Sequence, residues 1–380
     1  MRTYDVLIIG AGPAGCMAAY TLAKNNISVA VLEQKKEIGL PVCCGEAISE
    51  AALIQSGIFD NSYVDQKVKG FRVYFPNMKY FYVDMPGFLI DRDKFDKYIA
   101  ALAQKSGAEI FLSSRAADIK PQNGYFEALS GGKTFRSKIL IGADGPDSTV
   151  EKIFFNNKFL LTPALQYKLD KSTLDFDSGG YLAFYYDSLS DYYMWAFEKS
   201  TELNVGGGVY LKEKLDAFIK TRFNLDNFKY LHFSRGLIPV SGIKQKIYKE
   251  KIFLIGDAAG VVNPASLAGI YAGLISAKEA AAAIIKYFDS GKESALDGYE
   301  ENLRKYAFVK KFLLNTAKKC YRHPEKVLNF LGDYFISDNF SKKDYAGFLN
   351  LALKNPYIFK YLSPLIAHRQ LLKYHGNELW

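Results

Sequence analysis

The chain has 380 residues, with 49 Lys and Arg against 40 Asp and Glu, a formal charge of +9. At 49% hydrophobic and 23% charged residues it is not a disordered chain, and its length suits two or three packed domains. Four scattered cysteines (Cys16, Cys43, Cys44, Cys320) make no disulfide framework, zinc pattern or iron–sulfur site, so no metal is expected and the compartment should be reducing and cytoplasmic. No apolar run spans a bilayer. The first residues already read as a strand and a glycine loop, which leaves no place for a signal peptide. The positive balance calls for an anionic partner. A phospholipid surface or an anionic substrate fits it; nucleic acid has only the charge in its favour.

In chain order, "YDVLIIG" (4–10) is a short buried strand, "GAGPAG" (10–15) follows at once, and a helix runs over 13–25. "SVAVLE" (28–33) is the second strand of a β-α-β unit. "VKGFRVYFPNMKYFYVDM" (68–85) reads as a hairpin turning at "PN". "DRDKFDKYIAALAQKSG" (91–107) is an amphipathic helix with Asp91 as N-cap and Gly107 at its end. "AEIFL" (108–112) and "SKILIGADG" (137–145) are further strands. From 152 to 250 aromatic and polar residues alternate, the pattern of an antiparallel sheet. "KIFLIGDAAG" (251–260) returns to a buried strand, an Ala-rich helix covers 267–287, and the remainder is helical with many Lys, Tyr, Phe and Leu.

The glycine loop carries the first chemistry. Gly10 permits the tight turn, Gly12 lets backbone N–H groups approach a pyrophosphate, and Gly15 lets the helix lie close to the strand, with Pro13 and Ala14 opening that helix. Glu33 ends the second strand, followed by Gln34; an acid there accepts hydrogen bonds from ribose hydroxyls and repels a 2′-phosphate. There is no second loop of this kind. "GADGPDSTV" (142–150) and "LIGDAAGVVNP" (254–264) each end a strand in an Asp within a Gly-rich turn, Asp144 in one and Gly256-Asp257 in the other. Asp257 is placed to take a hydrogen bond from a ribityl hydroxyl. A helix starting near Gly269 and Ile270 would aim N–H groups at the edge of a flavin where charge collects on reduction. Together these turns select FAD.

"LPVCCGEAIS" (40–49) spends two of four cysteines side by side. Adjacent thiols rarely bond each other and cannot wrap one ion, so they are either small apolar packing groups or one of them is placed for chemistry. In "YMWAFEK", a strand would put Tyr193, Trp195 and Phe197 on one face, as a pocket wall or as core.

These residues resemble the geranylgeranyl reductase family, within the FAD-dependent group that includes p-hydroxybenzoate hydroxylase. The likeness covers roughly residues 1 to 310 and rests on "DVLIIGAGPAGCMAA", "VLEQKKEIGLPVCCGEAIS", "GFRVYFPN", "LIDRDKFDKYIA", "LIGADGPDSTV", "RGLIPV" and "IFLIGDAAGVVNPASLAGIYAGLISAKEAA". The glycine loop and Asp turns belong to the whole superfamily; "CGE" and the aromatic motif point to the reductase branch. The resemblance implies an FAD reduced by an outside donor, NAD(P)H or a ferredoxin-like protein, that saturates isolated double bonds of prenyl chains on lipids or quinones. It makes Cys44 the family cysteine, with Gly45 beside the flavin ring. Protonating an alkene needs a weak acid in a dry site, and Cys44 is the expected donor, with Glu46 as a second source and Cys43 as packing. The resemblance also sets Arg92 near the diphosphate, Ala116 by the adenine, and the aromatics 193, 195 and 197 over the flavin.

Two departures stand out. Glu198 replaces a family proline and is expected near the pocket mouth, and Ser266, Leu267 and Ala268 replace family glycines and should narrow the space by the ring.

The expected architecture is α/β plus antiparallel β. A Rossmann-type FAD domain is built from residues 1–67, 90–152 and 250–290; an inserted antiparallel-sheet substrate domain takes 68–89 and 153–249; a helical region takes 291–380. The basic tail "FVKKFLLNTAKKCYRHPEKVLNF" suits peripheral docking on the inner face of an anionic membrane. The alternative function is an FAD-dependent monooxygenase or hydroxylase of an apolar or aromatic substrate; the halogenase signature Trp-x-Trp-x-Ile-Pro is absent. A non-enzymatic flavin-bound lipid carrier is a third class.

Overall fold

The computed structural model describes residues 2–310, except 188, 191, 244, 245, 264 and 265, together with residues 324–335. Two eight-stranded sheets carry the chain. The first gathers three distant stretches. β1 (Arg2–Ile9) runs parallel between β2 (Val29–Leu32) and β9 (Lys133–Gly142). β6 (Glu109–Phe111) joins β2, and β16 (Ile252–Leu254) joins β9, again in parallel. β15 (Tyr248–Lys249) closes one edge, and the hairpin β7 (Ala117–Gln122) to β8 (Tyr125–Ser130) branches from β9. Every residue of β2 is buried, as befits a parallel strand covered on both faces. Around this sheet pack α1 (Pro13–Ala23), α3 (Arg92–Lys105) and α6 (Ile270–Ser290), with α1 touching both of the others. α2 (Glu50–Ser56), α4 (Thr149–Phe154) and α7 (Ser294–Leu303) complete this half.

The second sheet has the order β14-β10-β13-β12-β11-β4-β5-β3. Its members are β3 (Ala47–Ser49), β4 (Val64–Tyr74), β5 (Tyr80–Ile90), β10 (Leu161–Asp170), β11 (Tyr181–Tyr185), β12 (Met194–Glu198), β13 (Glu202–Gly207) and β14 (Tyr230–Pro239). All pairs are antiparallel except β11 with β4, which stitches the early hairpin to the later strands. The two-residue period sorts side chains between two cores. Met194 and Ala196 face α5 (Lys212–Phe223), whereas Tyr193, Trp195 and Phe197 join the core that also holds Val327, Leu328, Phe330 and Leu331 of α8 (Glu325–Phe335).

The three-piece nucleotide fold with an added antiparallel sheet is therefore present. Details differ from the sequence reading. β3 and the first residues of β4 pair into the second sheet, although 1–67 were allotted to the nucleotide domain. Asp91 occupies the N-cap position of α3 without capping it, because its carboxylate is drawn to Lys199 (2.6 Å) and Lys94 (2.7 Å). The Ala-rich helix starts at Ile270 and not at 267, because Asn263 closes a turn over the preceding residues: its carbonyl accepts from Leu267 N–H and its N–H donates to the Ala268 carbonyl. Of the basic tail, residues 311–323 lie outside the described residues; 308–310 and 324–330 are described.

Candidate active site

The cavity between the two sheets begins at the glycine loop, where the backbone leaves no room for side chains. At Gly10 (φ +103°) a Cβ would sit 2.4 Å from the Ala143 carbonyl oxygen, and at Gly15 it would sit 2.0 Å from that of Gly10. Gly12 is the opposite case: nothing lies within 4 Å of a Cβ there, and the residue lines the cavity with Pro13 and Ala14. The buried Glu33 carboxylate accepts from Ala11 N–H (2.7 Å) and Lys35 N–H (2.9 Å), so it braces the loop while each oxygen keeps a lone pair for a hydroxyl. Gln34 is exposed. Ala116 is half-buried, two residues beyond Ser114, whose N–H reaches the Glu33 carbonyl.

The second wall is the start of α6. Gly269, Ile270 and Gly273 line the cavity, and Gly256 (φ +57°) lets Ala14 approach to 3.1 Å of where its Cβ would be. Asp257 also lines the cavity, and its carboxylate has no hydrogen-bond partner among the described residues. Burial pushes its carboxyl up to about 6, with the charge of Arg92 opposing in part. Asp144 is differently employed. Its carboxylate accepts from Ser148 Oγ (2.5 Å) and the N–H groups of Thr149 (2.6 Å) and Val150 (3.3 Å), so it caps α4 and does not line the cavity.

The double cysteine forms the third wall. Cys43, Cys44, Gly45 and Glu46 all line the cavity. The Cys43 sulfur lies 2.8 Å from the Cβ position of Gly236 on β14, although the residue as a whole is exposed. The Cys44 sulfur accepts from the Glu46 N–H at 3.3 Å. Glu46 takes a left-handed backbone (φ +69°) with 1% of its surface exposed. Its carboxylate accepts from Arg92 N–H (3.0 Å), Lys168 (2.8 Å), Lys199 (3.3 Å) and Asn204 (2.9 Å). Burial alone would raise its pKa, but Lys199 and Lys168 hold the carboxyl below the usual range. The expected proton-donor role of Glu46 is thus corrected: it is a clamped anion joining the thiol loop, the start of α3 and the second sheet. Arg92 lines the same cavity and grips Asp96 through two bonds, Nε at 2.9 Å and Nη2 at 3.1 Å.

Tyr193, Trp195 and Phe197 stand together on one strand face, as their spacing required, and Phe184 meets Tyr193 and Phe197 edge-on at 5.2 and 5.1 Å. The Tyr193 hydroxyl donates to the Ser266 carbonyl, tying this wall to the turn before α6. Leu267 lines the cavity from that turn in a left-handed conformation (φ +55°) that favours glycine. Glu198 falls on the opposite strand face, accepts from Ser178 N–H (2.8 Å) and pairs with Lys171 (2.6 Å); the expectation that it borders the pocket mouth is corrected by the period of two.

Comparison with known proteins decides the family. Residues 5–167 match the model of the lycopene cyclase protein family. A digeranylgeranylglycerophospholipid reductase of Thermoplasma volcanium is 31% identical over 96% of this chain and the whole of the relative. The chain belongs to the digeranylgeranylglycerophospholipid reductase family. A solved geranylgeranyl bacteriochlorophyll reductase-like protein of Thermoplasma acidophilum superposes with TM-score 0.84 at 28% identity, over 98% of this chain and all of that one. The myxobacterial chondrochloren halogenase shares the fold alone, at TM-score 0.68 and 15% identity over 85% of this chain and 84% of that one.

FAD is the cofactor of this reductase family, and the residues fit it. Gly12 leaves its backbone open to a ligand, Gly269 and the N-terminus of the 21-residue α6 line the cavity, and the half-buried Asp257 carboxylate is an acceptor beside them. The sequence reading missed Gln166, Lys168, Lys199 and Asn204, the polar groups that hold the thiol loop. Gln166 and Lys168 share one face of β10, "LTPALQYKLD", which alternation alone presents as an ordinary solvated face.

Proposed function

We propose that the chain is an FAD-dependent reductase that saturates isolated C=C bonds of geranylgeranyl-type chains carried by a lipid or quinone. The observation that carries this reading is the convergence of the start of α6, the Cys44 thiol and three aromatic side chains on one cavity of ≈ 300 Å³. When bound and reduced, FAD supplies a hydride for one alkene carbon. The chain's own residues do the rest. Tyr193, Trp195, Phe197 and Phe184 exclude water and hold the alkene by its faces. Cys44 supplies the proton for the second carbon from a thiol on the cavity wall. Clamped by two lysines, Glu46 keeps that thiol's loop in place without competing as a donor.

The remaining site roles support the same reading: Gly10, Gly12, Pro13, Ala14 and Gly15 for the diphosphate with Arg92, Glu33 for the ribose, Asp257 for the ribityl chain, Gly45, Gly256, Gly269 and Ile270 around the ring. An external donor, NAD(P)H or a ferredoxin-like protein, restores the electrons. Access to lipid chains implies peripheral contact with a membrane, since no helix among the described residues is long and apolar enough to cross one.

The test is anaerobic. Flavin is reduced chemically, a digeranylgeranyl lipid is added, and reoxidation is followed with the product mass. Reoxidation with two hydrogens gained per bond is expected. Flavin that stays reduced until oxygen enters, then yields peroxide or a hydroxylated product, would establish the monooxygenase instead.

A further inference from the structure

Gln166 stands on β10 with 2% of its surface exposed, within the cavity lining. Its side-chain amide is used at both ends. Nε2 donates to the Cys44 carbonyl at 3.0 Å, and Oε1 accepts from the indole Nε1–H of Trp195 at 3.0 Å. The orientation is fixed by chemistry: an indole N–H only donates and a carbonyl only accepts, so a flipped amide would break both bonds. Trp195 has little freedom of its own, because it lies on Gly206, where a Cβ would come within 2.2 Å of its Cζ2. Cys44 likewise sits in a loop whose next two residues are held, Gly45 beneath Phe197 and Glu46 in its cage of lysines.

We propose that Gln166 is a positioning residue of the reductase, one amide that sets the separation between the Cys44 loop and the aromatic wall. The inference rests on the reading above, in which Cys44 holds the proton and Trp195 faces the alkene. A space-filling side chain would serve packing equally well without either bond. An amide bonded at both ends instead makes a displacement of the indole felt at the thiol loop, which lies 122 residues from Gln166 in sequence. Gln166 itself transfers nothing and touches no reacting atom.

The test uses the holoenzyme in a background of Trp380→Phe, Cys43→Ser and Cys320→Ser. Trp195 is then the only tryptophan, and Cys44 shares the chain with the buried Cys16 alone. Three readouts are taken: kcat and KM on a digeranylgeranyl lipid, Trp195 emission, and the alkylation rate of Cys44 by iodoacetamide. Gln166→Met, close in shape and without hydrogen bonds, is expected to lower kcat roughly 10- to 100-fold with little change in KM. It should shift Trp195 emission and change the alkylation rate. Gln166→Glu keeps the acceptor for Trp195 and sets an anion against the Cys44 carbonyl, so emission is retained while alkylation changes. Trp195→Phe combined with Gln166→Met should be no slower than Gln166→Met alone.

Wild-type kcat, emission and alkylation in a Gln166→Met protein of unchanged FAD content overturn the proposal, as do losses that simply add. If Gln166→Met fails to fold, Gln166→Glu carries all three readouts and Trp195→Phe carries kcat and alkylation. The emission and alkylation readouts need no substrate. An unsubstituted holoenzyme that saturates no lipid therefore sinks the functional reading, whereas an inert Gln166 in an active enzyme sinks only this one.

Discussion

The two sides of the cavity are built on opposite principles. The nucleotide side is made by leaving side chains out: Gly10, Gly15, Gly256 and Gly273 let chain segments pack closely, and the Asp257 carboxylate in the cavity wall has no hydrogen-bond partner among the described residues. The thiol side is made by putting side chains in: Lys168, Lys199 and Asn204 converge on the Glu46 carboxylate, and Gln166 joins the Cys44 carbonyl to Trp195. One side is damaged by adding atoms, the other by removing them. The first leaves a charge for a ligand to meet, and the second has already met its own.

The largest effect should come from adding a methyl group to the first side. Gly15→Ala sets a Cβ 2.0 Å from a carbonyl that cannot move, so we expect loss of about 4 kcal/mol of stability and of bound FAD, read as a fall in Tm and in the flavin-to-protein absorbance ratio. Removing a charge from the second side comes next. Glu46→Gln keeps the shape but leaves Lys168 and Lys199 short of an anion, at a cost of about 3 kcal/mol in chemical denaturation. A Glu46→Gln protein as stable as wild type would dissolve the contrast. Cys44→Ser, which keeps size and exchanges the acid, should lower turnover roughly 100-fold with FAD content unchanged.

The contrast also predicts opposite signs of pH dependence. Glu46 is held below its ordinary 4.5, so its contribution is present above that value and is lost as pH falls through the folded one. Asp257 is raised from 3.8 to about 6. Its native form keeps a proton that the unfolded chain has released, so stability of the FAD-free protein falls as pH rises from about 4 to 6 and is level above. Subtracting the stability curve of Asp257→Asn should remove that descent, and FAD affinity, followed by flavin fluorescence, should rise over the same interval as the ribityl contact favours the anion. The smallest effect belongs to Leu267→Gly, which relieves φ +55° and opens the wall; stability should change by no more than about 1 kcal/mol, and KM for bulky prenyl lipids should fall.

The same difference governed what the sequence disclosed. Gly10, Gly12, Gly15 and Glu33 lie in one β-α-β unit, where a tight turn and a close helix demand fixed local spacing, so the cofactor fold was readable from "GAGPAG" onward. Tyr193, Trp195 and Phe197 share a strand, and a period of two places them without further knowledge. The cage of Glu46 depends on residues 122 and 153 positions away on other strands, and no local rule distinguishes a buried Lys199 from a solvated one. An exposure of only 3% reverses the meaning of that lysine. Glu46 was misread as an acid for the same reason: its chemistry is set by distant cations.

The nucleotide sheet has a consequence for how the chain is made. β1 finds β9 more than a hundred residues downstream, and β16 must then travel past the whole inserted sheet to reach β9. Strands β10 to β13 pair largely with near neighbours and can form as they leave the ribosome, whereas the pocket closes only after α6 has emerged. Cofactor capture is therefore a late event in synthesis, and a nascent chain halted before Asp257 should carry an ordered second sheet and no flavin.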